Sequence, residues 1–136
     1  MPSTDAIGPV ITVEISPGEL LDKISILEIK SERIGEPGKL ANIRHELTLL
    51  RGTVPDRLAA DAAIAKLMRE LKTINKTLWD IEDEIRDCEA RKEFGETFVQ
   101  LARSVYLTND RRAELKRKIN TRCGSAIVEE KSYKQY

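Results

Sequence analysis

Two lines of polar side chains at helical spacing hold the residue types best suited to chemistry in this chain: Asn75, Trp79, Glu82 and Arg86, and then Tyr106, Asn109, Ala113, Lys116 and Asn120. Steps of three and four put each line on one helical face. Facing one another, they can enclose an anionic or phosphorylated ligand between helices. Asp22, Lys23 and Ser25 from the first predicted helix can join them, as can Arg112, which interrupts an apolar stripe. In the structural alternative these groups satisfy one another, because buried charges are usually paired and such pairs can fix helix register. Arg112 then contacts Glu82 or Asp83 and stacks on Trp79. On that reading Arg112→Leu is tolerated, while Glu82→Ala destabilises by about 3 kcal/mol.

The acids suggest a second chemistry, metal-dependent hydrolysis of a nucleotide or other phosphorylated substrate. Glu19 and Asp22 are three apart, as are Glu84 and Asp87, so each pair shares a face, as in helical metal-dependent pyrophosphohydrolases. Glu28, Glu82 and Asp83 are candidate ligands by residue type alone. Among 23 acidic residues such spacings arise by chance, and a capping role already explains Glu19. The lone histidine, His45, sits between Arg44 and Glu46 and reads as a surface residue. No nucleophile elbow or phosphate loop is present. Cys88 and Cys123 fall far apart with no clustered histidine, and read as reduced thiols, buried or half-buried. No cofactor is expected, no catalytic residue is identified, and the balance favours a binding or assembly module over an enzyme.

Helices must position these groups. Between 64 and 88 the apolar residues Ile64, Leu67, Leu71, Ile74, Leu78, Ile81, Ile85 and Cys88 alternate steps of three and four, a heptad stripe that demands a partner helix. The spacing predicts a third helix over 55–93, opened by Pro55 and Asp56 and about 58 Å long at 1.5 Å per residue. A fourth over 96–123 repeats the stripe with Phe94, Phe98, Leu101, Val105, Thr108, Arg112, Leu115 and Ile119. Thr108, Asn109 and Asp110 are capping residues at which it can kink. A turn at Gly95 folds the two into an antiparallel hairpin whose facing residue numbers sum to about 189.

Ser16, Pro17 and Glu19 form a capping box that starts a first helix over 16–34. Its apolar positions cover more than one stripe, so it lies centrally. Gly35 and Pro37 separate it from a second over 37–51, with the single stripe Leu40, Ile43, Leu47 and Leu50 and a stop at Gly52. Alternation over 9–15 and the apolar residues within 125–132 read as short strands that can pair.

With 34% charged and 4% aromatic residues the core must be thin and aliphatic, and 136 residues fit one domain. Lys and Arg balance Asp and Glu at 23 each, so global charge draws the chain to neither membrane nor nucleic acid. Aromatics do not interleave with the basic stripe, which argues against sequence-specific nucleic-acid binding. Residues 80–96 carry eight acids against three bases, and residues 103–122 seven bases against two acids. The hairpin is thus a charge-polarised rod whose basic end suits a small anionic ligand, an acidic protein partner or the acidic end of a second copy. A homodimer is expected, because the third helix outreaches the short first hairpin. Met1 to Asp5 show no basic segment followed by an apolar run, and no window approaches a membrane span, so a cytoplasmic location is expected.

Three stretches bear a resemblance. The capped helix start ISPGELLDKISILEIK (15–30), residues 75–86, and the run SVYLTNDRRAELK (104–116) resemble a bacterial family known as domain of unknown function 6165. The likeness covers nearly the whole chain. That family has no assigned activity, so the resemblance implies a small bacterial protein and carries over no catalytic residue. The fold expected is all-α: a short helical hairpin packed on a long antiparallel, coiled-coil-like one, with a two-stranded ribbon from the chain ends.

Overall fold

The computed structural model describes residues 8–136, so the reading of Met1 to Asp5 lies outside the described residues. The chain is all-helical: α1 (Pro17–Arg33), α2 (Pro37–Thr53), a single turn α3 (Asp56–Ala59), α4 (Ala62–Arg91) and α5 (Glu96–Cys123). α4 and α5 form the long antiparallel hairpin, and α1 packs against α2, α4 and α5. No helix among the described residues is long and apolar enough to cross a membrane.

α1 is central for the reason its pattern implies. Leu20, Leu21, Ile24, Leu27 and Ile29 are all buried and point to more than one side. All of these but Ile29 form one core with Ile43 and Leu47 of α2, Ile64 and Leu71 of α4, and Ile119 of α5. Leu71 and Ile119, opposite one another in the expected register, are both fully buried there. Every member of the α4 stripe is buried or half-buried.

Helix ends differ from expectation in instructive ways. Ser16 Oγ accepts from the Glu19 amide at 3.2 Å, but the Glu19 carboxylate leaves the capping box for Lys116. Gly52 lies inside α2, which ends at Val54 because a residue before proline avoids the helical region. The predicted third helix is broken by a second cap: Asp61 accepts from the Ile64 amide at 3.0 Å and starts α4 afresh. α4 stops at Lys92, in the left-handed conformation (φ 55°), and Gly95 serves as the N-cap of α5. α5 runs unbroken through Thr108, Asn109 and Asp110, since Thr108 turns inward and is buried rather than capping.

The two expected strands do not form. Val10 is 88% exposed, and the residues before α1 line a groove with Leu49 and Leu58. Residues after α5 instead run back along α5 itself. The segments lie against different helices, and a two-stranded ribbon without a third strand or a packing surface is marginal in water.

Candidate functional site: an ion-pair network between α1, α4 and α5

α1 enters against α5 at unusually close range. The Gly18 amide donates to Asn120 Oδ1 at 2.7 Å, and a Cβ at Gly18 would stand 2.6 Å from the Lys116 carbonyl oxygen. That approach carries the next turn of α1 into the hairpin. Asp22, 1% exposed, accepts through Oδ1 from Asn75 Nδ2 at 2.9 Å and from Arg112 Nε at 3.0 Å, while Oδ2 accepts from a terminal nitrogen of the same guanidinium. Asn75 Nδ2 also donates to Ser25 Oγ at 2.7 Å, and Ser25 Oγ donates to the Asp22 carbonyl at 2.7 Å. The fork of Arg112 thus meets a carboxylate in the bidentate geometry that makes such pairs strong. Its hydrogen bond to Asp22 raises the Arg112 pKa further. Among the described residues no buried side-chain nitrogen or oxygen is left without a partner. This network closes on itself.

One turn along α5, Lys116 is 7% exposed and bridges two carboxylates, Glu19 at 2.8 Å and Glu129 at 2.9 Å. Burial pulls its pKa down, but the hydrogen bonds to Glu129 and Glu19 outweigh it and leave the ammonium above the ordinary lysine value. Glu129 is held below the ordinary glutamate value of 4.5, chiefly by the Lys116 hydrogen bond against some burial, with Lys131 and Arg112 adding attraction. A folded value below the unfolded one means that this pair contributes fully above pH 4.5 and is lost as pH falls through the depressed value. Residues 125–136 should therefore stay docked on α5 at neutral pH and come away only below that range, which narrowing of their amide signals in an acid titration checks.

The other predicted site residues do not join the network. Glu82 and Arg86 pair with each other, at 3.5 Å, on the exposed face of α4. The aromatic face of Trp79 carries Arg33 of α1, 5.7 Å from the ring centroid, in place of Arg112. The expected Arg112 contact with Glu82 or Asp83 fails for one physical reason: α1 crosses the hairpin and lays Asp22 beneath Arg112 and Arg33 over Trp79. Glu82→Ala is accordingly expected to change stability by less than about 1 kcal/mol, measured by urea unfolding. Tyr106 is exposed and packs on Tyr136 with ring centroids 5.3 Å apart. Asn109 is half-buried outside the network, and Lys23 is exposed and 3.7 Å from Glu19.

The metal candidates stand apart. Glu28 is 3.3 Å from Lys72 and 3.8 Å from Arg51, and Glu82 is committed to Arg86. Among the described residues no group of three or more His, Cys, Asp or Glu side chains is placed to hold one metal ion. His45 is exposed, Cys88 is buried and Cys123 half-buried, both thiols being free. The basic end of the rod is largely compensated: Lys72 and Lys76 face Glu32, Arg122 faces Asp61, and Arg117 faces Glu130.

Glu19, Gly18 and Glu129 matter more than their sequence context suggests. A Pro-Gly pair at a helix start reads as capping, and Glu129 sits in a stretch that reads as strand. Nothing local marks any of them as a partner of α5. Residues 11–136 match the model of a family described as "Family of unknown function (DUF6165)". Neither the curated proteins nor the solved structures contain a match.

Proposed function

The chain belongs to that family of unknown function, and we propose that it is a helical binding and assembly module that takes an anionic group, carboxylate or phosphate, on Lys116 and Arg117 of α5. The observation that supports this reading is the second carboxylate on Lys116. Glu19, on the rigid first turn of α1, already balances the buried ammonium. Glu129 comes from a segment without regular structure, so another anion can take its place with the helices undisturbed. Arg117, its side chain 63% exposed and 3.7 Å from Glu130, extends the same edge. Charge-assisted hydrogen bonds from such cations to phosphate or carboxylate oxygens are among the stronger polar contacts.

Calorimetric titration with inorganic pyrophosphate tests the reading. Glu129→Gln should bind it more tightly than the unsubstituted chain, and adding Arg117→Gln should weaken that binding about tenfold, or ~1.4 kcal/mol. Absence of saturable binding to Glu129→Gln at about 1 mM pyrophosphate would contradict it.

Assembly is the second half of the proposal, with a second copy as the partner. α1 reaches the hairpin only as far as Trp79 and Asp80. Beyond them the arm leaves Phe94 50% exposed, with Val99 and Leu107 also open, and it is the acidic stretch of the chain. Arg69, Arg111 and Lys118, with Glu70 and Glu114 among them and Glu114 3.9 Å from Lys118, rim a groove of about 420 Å3 that includes Ile74 and Leu115 and keeps a small net positive charge. An offset antiparallel dimer seats each acidic arm against Arg69 and Arg111 of the other copy. Sedimentation at low salt should give a dimer that dissociates as salt screens the pairing, and a monomer at low salt would contradict it.

A further inference from the structure

Building on that anion site, we propose that the face of α5 from Tyr106 to Arg117 is a docking site for an extended segment of a partner protein that carries two adjacent carboxylates, with the chain's own residues 129–136 as its displaceable occupant. Its occupant is held at two ends. Glu129 and Glu130 meet Lys116 and Arg117 at 2.9 and 3.7 Å, and Tyr136 donates to Asp110 and packs its ring on Tyr106. The segment thus runs antiparallel to α5, acidic end first and aromatic end last.

The attachment is made by side chains. Past the bond from the Ser125 amide to the Asn120 carbonyl, which closes the helix end at 3.0 Å, no backbone hydrogen bond ties this segment to α5 among the described residues. Exposed ion pairs such as that of Glu130 contribute little. What resists a competitor is tethering, which gives the segment an effective concentration of about millimolar. A partner segment with two adjacent carboxylates and an aromatic side chain several residues later can make the same contacts. It would displace residues 129–136 while Glu19 keeps the other side of Lys116 neutralised.

The probe is a synthetic peptide with the sequence of residues 125–136, titrated into the full chain and into a full-length variant carrying Glu129→Gln, Glu130→Gln and Tyr136→Ala. The variant should bind the peptide at least about tenfold more tightly than the unsubstituted chain. Binding should weaken only slightly when Arg117→Gln is added, and should be lost when both peptide glutamates are replaced by glutamine. Equal affinity for the two chains, no binding to a variant that melts as cooperatively as the original, or equal binding of a scrambled peptide would overturn the proposal. In the unsubstituted chain excess peptide should narrow the amide signals of residues 129–136 as they leave α5, and unchanged signals would likewise overturn it. Pyrophosphate binding without peptide binding would remove the peptide and leave the anion site standing. Failure of both would remove both.

Discussion

Arg112→Leu should destabilise the fold by about 3–5 kcal/mol, seen as a lowered urea midpoint with an unchanged slope. Leucine fills the space, but it leaves the Asp22 carboxylate 1% exposed with only the Asn75 amide still hydrogen-bonded to it. Asp22→Asn alone should be milder, because the Arg112 side chain keeps 29% of its surface in water and can rehydrate. The double variant should recover much of the loss, giving a large coupling energy between the two sites. Independent, additive losses would mean that the pair does not hold α1 to α5.

Gly18→Ala should be the next most damaging change, by about 1–3 kcal/mol in spite of alanine's better helix propensity. The added Cβ would meet the Lys116 carbonyl at 2.6 Å and Asn120 Oδ1 at 2.8 Å. The first of these is backbone in the middle of α5 and cannot swing aside, so α1 must move outward. That shift stretches both the Gly18 to Asn120 and the Asp22 to Arg112 bonds, and the midpoint of thermal unfolding reads it out. An unchanged midpoint would show that the helices can part without loss.

The elements of the fold are legible in the sequence where a periodic stripe and a local cap agree. The α4 stripe runs through three and a half heptads, and Ser16, Pro17 and Gly124 mark their helix ends by side-chain or backbone chemistry alone. The break at Asp61 is less legible, because an aspartate that caps a new helix looks like one more polar residue within a continuing pattern. Candidate site residues divide the same way. Arg112 interrupts a stripe that must be buried, Asn75 and Lys116 lie on polar lines beside the two stripes, and Asp22 sits on a helix buried on more than one side, so their convergence is legible in the pattern. Which acid meets which base does not, since that depends on how α1 crosses the hairpin. The crossing is set by the missing side chain of Gly18, which leaves no periodic trace. Glu129 is illegible for a further reason: it acts from an irregular segment whose course depends on the charges of α5.

The edge of α5 occupied by Glu129 is tested most directly by residue-resolved NMR during a pyrophosphate titration of the full chain. Shifts should concentrate at Lys116 and Arg117, with simultaneous release of residues 129–136 and little change at Asp22 and Asn75. Shifts confined to Arg69, Arg111 and Lys118, or a segment that stays docked while pyrophosphate saturates, would contradict an anion site at Lys116.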